Sequence, residues 1–362
     1  MAKIPEQPSK TVEAIKAWWH ARLDEPRRAY LGGSIIGREC ERALWYSFRW
    51  SDPPAAEQFD GRMARLFNRG HREESIFVEE LRGIGCTVHD VDPATGQQFR
   101  FSAVSGHFGG GVDAVALGIP EAPKTWHLVE MKTHNAKRFA SLQKDGVAKS
   151  KPEHQAQMQV YMHMASLDRA LYLAVNKETD ELYSERVKYS EAEAQALLAK
   201  AERIIYADAP PAGISKDPSF FKCKFCPARR VCHTPQLPDR SCRTCAHATA
   251  ERDGNGRWSC AKYKTDIPLA AQREGCDAHL YIPALLTRWG EVVDASEAEG
   301  WIEYRAPDGV TFRNGPWGPG SYSSRELSKA SPALLRDQEF LGLRAKYQGQ
   351  VNQYQEANDG RA

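Results

Sequence analysis

A chain of 362 residues with 41% hydrophobic content is long enough for two or three ordinary globular domains. It contains no apolar run of 18 or more residues, and its start, MAKIPEQPSK, has no apolar signal core, so a cytoplasmic chain without a membrane partner is expected. Lys plus Arg (49) nearly cancel Asp plus Glu (47), and the net charge of +2 does not by itself point to a polyanion.

In chain order, residues 11–31 read as helix, followed by a Gly-Gly-Ser break and a second helical stretch from Arg38 to Trp50 that contains Cys40. After an SDPP loop, residues 61–83 carry Leu66, Phe67, Ile76, Phe77 and Leu81 in a helical pattern. Segments 98–104 and 110–117 alternate like a β-hairpin around SGHFGG, GIPEAPK is a loop, and WHLVEMK is a buried strand. Pro152 suits the first turn of a helix running to about Ser166. LYLAVN is a short strand pairing with ELYSERVKY, and residues 190–207 form an Ala/Glu-rich helix, which completes a mixed α/β unit. The Pro-containing stretches DAPPAGISKDPS and HTPQLPDRS mark boundaries. Beyond Cys276 come IPALL, a hairpin in WIEYRAPDGVTFRNG turning at Asp-Gly, helical patterns to about residue 348, and a polar, frayed end.

Chemistry concentrates at Glu130-Met131-Lys132, where residues two apart on a strand share a face. Asp113 in GGGVDAV lies on the preceding strand, and pairing could set it beside Glu130. Two carboxylates there can hold Mg²⁺ or Mn²⁺, which prefer oxygen ligands. Lys132 could orient a water or offset developing charge. The bland alternative is a surface ion pair at a strand end. His71 in NRGHREESIF could add an imidazole ligand, and Gln157-x-x-x-Tyr161 is an i,i+4 pair on one helical face, or simply the polar stripe of an amphipathic helix. From Met131 to Lys151 six cations (Lys132, Lys137, Arg138, Lys144, Lys149, Lys151) stand against the single acid Asp145. Such a run is either a solvated face or a phosphate track.

The order GH, GxxD, ExK, QxxxY resembles the RecB-like exonuclease branch of the PD-(D/E)XK superfamily, which includes the AddB nuclease and the iron–sulfur nucleases of CRISPR adaptation. RGH, GGVDAV, LVEMKTH and QMQVYM carry the resemblance over roughly residues 35–235. It implies a cation held by His71, Asp113, Glu130 and the carbonyl of Met131, a catalytic Lys132, and supporting roles for Gln157 and Tyr161. It also sets Lys137, Arg138, Lys144, Lys149 and Lys151 where they could follow DNA phosphates.

Seven of the nine cysteines fall between Cys223 and Cys276. Clustered thiols in a reducing compartment suggest metal rather than disulfides. Cys223, Cys226 and Cys232 need a fourth partner, for which Cys40 is the candidate. This set resembles the [4Fe–4S] arrangement of the same branch, the alternatives being zinc on the same ligands or Cys40 as a packed residue. Cys242, Cys245, Cys260 and Cys276 have zinc-ribbon-like spacing, with His247 and His279 as spare ligands. That module reads either as a contact knuckle or as a structural staple. Cys86 is expected to be a packed thiol.

The expected architecture is α/β: a helical region over 1–60, a PD-(D/E)XK restriction-endonuclease-like core over 61–208 and an iron–sulfur segment over 209–235. A zinc module over 236–284 and an α+β extension over 285–362 complete it. The expected activity is Mg²⁺/Mn²⁺-dependent DNA exonuclease hydrolysis in recombination, repair or replication, of phage type. The alternatives are a structure-specific endonuclease or a non-catalytic nucleic-acid-binding assembly module. No GxxxxGK[ST] occurs, so unwinding would need a partner helicase or recombination protein.

Overall fold

The computed structural model describes residues 9–23 and 27–351, so the frayed end expected from sequence lies outside the described residues. Two compact units emerge. The first comprises the chain up to Cys40, Pro54–Tyr206 and Arg252–Gly256, and the second Glu41–Pro53, Ala207–Glu251 and Arg257 onwards. In chain order the elements begin with α1 (Lys10–His20), β1 (Leu31–Gly32), α2 (Glu41–Phe48), α3 (Ala55–Gln58) and α4 (Gly61–Gly83). There follow β2 (Thr87–His89), β3 (Arg100–Ala103), β4 (Phe108–Gly111), β5 (Ala114–Leu117) and β6 (His127–His134). Helices α5 (Ala136–Ser150) and α6 (Pro152–Ala165) lead to β7 (Arg169–Asn176), β8 (Leu182–Lys188) and α7 (Glu191–Ile205).

Five strands of the first unit form a sheet in the order β2-β5-β6-β7-β8. Only β6 and β7 run parallel, and α5 with α6 supplies the crossover that a parallel pair requires. Because side chains alternate, β6 presents two different faces. Val129 and Met131 join Ala114, Ala116, Leu171 and Val175 in a core closed by Phe77, Val78 and Leu81 of α4. Glu130, Lys132 and His134 share the opposite face, toward α6. The pairing of LYLAVN with ELYSERVKY is observed as β7–β8, and α4 spans 61–83 as its periodicity predicts, with Asp60 capping it by accepting from the Met63 N–H at 2.8 Å.

Three expectations are revised. Residues 110–117 are not one strand: β4 pairs with β3 in a separate three-stranded sheet (β1-β4-β3), the chain breaks at Val112-Asp113, and β5 enters the large sheet beside β6. Alternation continues through the break, so periodicity could not reveal it. The helix expected over 11–31 ends at His20 with a 3-10 turn over Ala21–Leu23, and Leu31–Gly32 is strand β1. And α6 is buried all round from Ala156 to Met162 rather than amphipathic. Its Gln159 donates to the Lys188 carbonyl and accepts from the Ser190 N–H, both at 2.8 Å, so the polar group turned inward is satisfied.

The second unit adds α8 (Phe221–Lys224) and α9 (Arg229–His233) around the first cysteine group, then a small sheet of β9 (Ala248–Ala250), β10 (Trp258–Cys260) and β11 (Thr265–Asp266). α10 (Leu269–Glu274) precedes a four-stranded sheet of β12 (Glu291–Ser296), β13 (Trp301–Arg305), β14 (Thr311–Asn314) and β15 (Ser321–Tyr322), with α11 (Ser324–Leu327) and α12 (Gln338–Tyr347) after it. The hairpin expected at Asp-Gly is β13–β14. Buried Arg243 fastens the cysteine module to α2 and its exit: its guanidinium lies 4.0 Å over the Trp50 ring, donates to the Phe48 carbonyl at 3.0 Å and to Gln272 Oε1 at 3.1 Å. Such stacking suits the planar, weakly hydrated guanidinium. Elsewhere in this unit, Asn314 accepts from the Tyr281 N–H at 2.8 Å.

The glycine run ahead of Asp113 has a steric reason. A Cβ on Gly110 would stand 2.0 Å from Tyr161 Oη, and one on Gly33 2.6 Å from Tyr161 Cε1. Gly110→Ala should therefore destabilise the chain by about 1–3 kcal/mol through overpacking. Gly70→Ala, in open space within α4, should stabilise it by about 0.5–1 kcal/mol. Urea unfolding of both variants checks the contrast, and equal effects would refute the Tyr161 clamp.

Candidate active site

Asp113 occupies the break before β5, and the register Ala114↔Val129 carries it opposite Glu130. Its Oδ2 accepts from the Met131 N–H at 2.8 Å and faces Lys132 Nζ at 3.5 Å. Lys132 Nζ stands 2.5 Å from Glu130 Oε1 and donates to the Met131 carbonyl at 2.9 Å. Gln157 Nε2 donates to Glu130 Oε2 at 2.9 Å. Glu130 is fully buried, and its Oε1 is ion-paired with the Lys132 ammonium. Asp113, Glu130, Met131, Lys132 and Gln157 thus form one connected group. Tyr161, one turn beyond Gln157, is buried between Gly33 and Gly110.

Burial pushes the Glu130 carboxyl up to about 7; Lys132 opposes the rise, while Asp113 and, more weakly, Glu74 add to it. For Lys132, burial acts to lower the pKa, but the Glu130 and Asp113 carboxylates outweigh it and the ammonium is held charged. Glu74 was not singled out from sequence. It sits on α4 three residues after His71, and His71 Nδ1 lies 3.4 Å from its Oε2. The His71 side chain is 73% exposed, turned to Glu74 rather than to Asp113 or Glu130. The signal for Glu74 was present in GHREE, where an acid one turn after a histidine shares its face.

A second group was also missed. Tyr172 pairs in register with Glu130, and its hydroxyl lies 2.9 Å from His134 Nε2 and 2.8 Å from His154 Nδ1. Burial, then Lys151, Arg138 and Lys132, push His134 down to about 4. Burial, then Lys132, push His154 down to about 3, so both imidazoles are neutral near pH 7. His134 follows Lys132 on the same strand face, and His154 precedes Gln157 by three residues, which is the pattern that could have found them. These same effects divide the basic run. Arg138 and Lys151 lie within electrostatic reach of this cluster, and Lys151 Nζ donates to the Arg138 carbonyl at 3.3 Å. Lys149 is paired with Asp145 at 2.9 Å, and Lys137 and Lys144 are exposed on α5.

Among the described residues, no three His, Cys, Asp or Glu side chains converge to metal-binding distance. The donors still suit a hard cation: the Asp113 and Glu130 carboxylates both reach the Lys132 ammonium, at 3.5 Å and 2.5 Å. A dication there would reverse the field that raises Glu130. In the second unit the Cys242 thiol is pushed up to about 11 by burial and by Cys276 and Cys260. Cys245 is pushed up to about 11 by burial and, against two backbone N–H groups, by Cys242 and Cys276. Cys260 and Cys276 thus lie within electrostatic reach of Cys242, and Cys242 and Cys276 of Cys245. His279 Nε2 lies 3.0 Å from the Ser241 carbonyl and 3.2 Å from Thr244 Oγ1, and its Nδ1 has no hydrogen-bond partner among the described residues. Cys223 is buried, Cys226 and Cys232 are half-buried, and the Cys226 N–H donates to the Cys223 carbonyl at 3.1 Å. Cys40 is half-buried just before α2, and Cys86 is a buried thiol donating to the Gly118 carbonyl at 3.4 Å.

A strand-borne acid–x–Lys on β6 is thus joined to an acid from the break before β5 and backed by α6. Residues 5–233 match the family model of the PD-(D/E)XK nuclease superfamily, more than half of the chain, and the chain belongs to that superfamily. No curated protein matches it. Solved structures similar to it include SSO0001, at 15% identity and a TM-score of 0.37, covering 61% of this chain and 95% of that one. LHK-Exo in complex with dAMP is similar at 15% identity and a TM-score of 0.32, covering 52% and 89%. The alkaline exonuclease LHK-Exo from Laribacter hongkongensis is similar at 17% and 0.33, covering 52% and 95%. Among the described residues no helix is long and apolar enough to cross a membrane.

A carboxyl that titrates higher when folded than when unfolded makes the folded state lose stability as pH rises from about 4.5 through about 7. In EDTA, the melting temperature should therefore fall between about pH 5 and about pH 8, and Glu130→Gln should flatten the fall. Lys132 remains protonated across that window and adds no slope. Parallel melting profiles for the two proteins would refute the assignment.

Proposed function

We propose that this chain is a DNA exonuclease that uses Mg²⁺ or Mn²⁺ to hydrolyse phosphodiester bonds from a strand end. The observation that carries the reading is the Lys132 ammonium held between the Asp113 and Glu130 carboxylates in a member of a nuclease superfamily. Asp113, Glu130 and the Met131 carbonyl would hold the cation, with His71 as a further ligand after it releases Glu74. A cation so held supplies a lowered pKa for water and stabilises charge on the phosphoryl oxygens. Lys132 orients the attacking water and offsets the negative charge that builds up as the phosphodiester is attacked. Gln157 fixes the second oxygen of Glu130, and Tyr161 fixes the distance between α6 and the glycine strand. Arg138 and Lys151 would meet the nearest phosphates, with Lys137, Lys144 and Lys149 farther along α5. The setting is recombination, repair or replication of a phage type, with unwinding left to a partner helicase.

Asp113→Ala, Glu130→Ala or Lys132→Ala should each lower turnover by orders of magnitude while DNA binding persists. Digestion of end-labelled linear DNA, with a covalently closed circle of the same sequence beside it, reads both activity and mode. Mononucleotide release from the linear form with the circle intact is expected. Cutting of the circle would make the enzyme an endonuclease, and near-wild-type cleavage by Glu130→Ala would remove the site.

The cysteines extend the proposal: Cys223, Cys226 and Cys232 supply thiolates to a [4Fe–4S] cluster, and Cys242, Cys245, Cys260 and Cys276 bind zinc as a structural staple. Support comes from the donor types, their spacing, and the mutual repulsion of the second group, which a dication relieves. Anaerobically purified protein should be brown, with absorbance near roughly 400 nm, and contain about one zinc per chain. Cys223→Ser should lose iron and keep zinc, and Cys260→Ser the reverse. Colourless protein with about two zincs would replace the cluster with a second zinc site.

A further inference from the structure

Helix α4 carries Arg62, Arg65, Arg69 and Arg72, spaced so that the four guanidinium groups share one face. Together with Leu66 they line an open groove of about 410 Å³. From Gly61 to Arg72 the helix contains no acid, and Glu73, Glu74, Glu79 and Glu80 all follow. This order opposes two preferences of an isolated helix. The helix dipole favours anions at the N-terminal end; Asp60 supplies one at the cap, but the first turn itself has none and Arg62 stands in it. Like charges three or four residues apart also repel, and the stripe contains three such steps.

Arg69 is partly satisfied, donating to the Lys177 carbonyl at 2.9 Å and standing 3.9 Å from Glu73. Among the described residues, Arg62, Arg65 and Arg72 have no ion pair, and the Arg62 guanidinium reaches only the sulfur of Met63, at 3.5 Å. Both unfavourable terms would be relieved by a polyanion lying along the helix. From Arg62 to Arg72 the face extends about 15 Å. That length matches about four phosphates of one strand at roughly 3.4 Å each. The same helix continues to Glu74, whose charge is felt by Glu130, so the stripe and the site share one rigid element.

We propose that the α4 arginine stripe is a phosphate track that binds the sugar–phosphate backbone of the DNA strand entering or leaving the site. The proposal rests on the nuclease reading above, and adds a surface separate from the basic run of α5. Arg62, Arg65 and Arg72 make the contacts, while Arg69 holds the helix against the turn at Lys177.

The test uses the full chain in EDTA, so that DNA stays intact, with end-labelled single-stranded and duplex DNA titrated from roughly 50 to 200 mM salt. The variant Arg62→Ala/Arg65→Ala/Arg72→Ala should make the log–log salt slope shallower by about 2 to 3, at roughly 0.7 to 0.9 per lost contact. It should also bind at least about tenfold more weakly at the lowest salt, and melt at the same or a higher temperature because repulsion is gone. Arg62→Lys/Arg65→Lys/Arg72→Lys should keep the slope. Wild-type binding with an unchanged slope in the alanine variant would overturn the track and leave the nuclease reading intact. A wild-type chain that neither binds DNA nor cleaves it in Mg²⁺ or Mn²⁺ would overturn both.

Discussion

Glu130 is a fully buried carboxylate, and the organisation of the first unit follows from the need to keep it there. An unpaired ion in that position would cost several kcal/mol in desolvation. Lys132 Nζ at 2.5 Å and Gln157 at 2.9 Å offset that cost, and both must be brought in by elements distant in sequence. Lys132 arrives because residues two apart on β6 share a face. Gln157 arrives because α6 is buried on all sides against that face, which forces its polar residues into specific bonds. Asp113 completes the group from the neighbouring strand, and its bond to the Met131 N–H pins the point where the chain leaves one sheet for another.

Charge in this site is arranged in opposition. Asp113 and Glu74 raise the Glu130 pKa while Lys132 lowers it, and burial strengthens each of these interactions. The neutral pair His134 and His154, bridged by the Tyr172 hydroxyl, lies beside Lys132 without adding a second positive charge. A buried carboxylate whose pKa is pushed up to about 7 thus sits beside a lysine held in its charged form. The tyrosine clamp formed by Gly33, Gly110 and Tyr161 keeps α6 at the distance this arrangement requires.

In the second unit, organisation comes from cations placed on aromatic rings. Arg243 and Arg49 are both buried, and burial lowers their pKa values to about 9 and about 10. Arg243 spans Phe48, Trp50 and Trp258, so the residues around α2 and the small sheet carrying Cys260 share one packing centre. That packing centre lies beside Cys242 and Cys245 on one side in sequence and Cys260 on the other. His279, a spare ligand by spacing, contacts the Ser241 carbonyl and Thr244 Oγ1 through Nε2, while its Nδ1 is buried with no hydrogen-bond partner among the described residues.

Much of this was legible in the residues. The spacing of Glu130 and Lys132, the apolar β6 around them, the helix over 61–83 and the Gln157/Tyr161 pair follow from strand and helix periods, which are local properties. Periodicity also exposed the pairing of β7 with β8 and the hairpin at Asp308-Gly309. It could not show that residues 110–117 serve two sheets, because alternation survives a change of partner. Nor could it show that Glu74 feels Glu130, that His134 and His154 meet on Tyr172, or that Arg138 and Lys151 come within electrostatic reach of that pair while Lys149 pairs with Asp145. Those outcomes depend on which faces the crossover of α5 and α6 brings together. Burial then changes the charge states of the groups that meet there, and only the tertiary structure decides it.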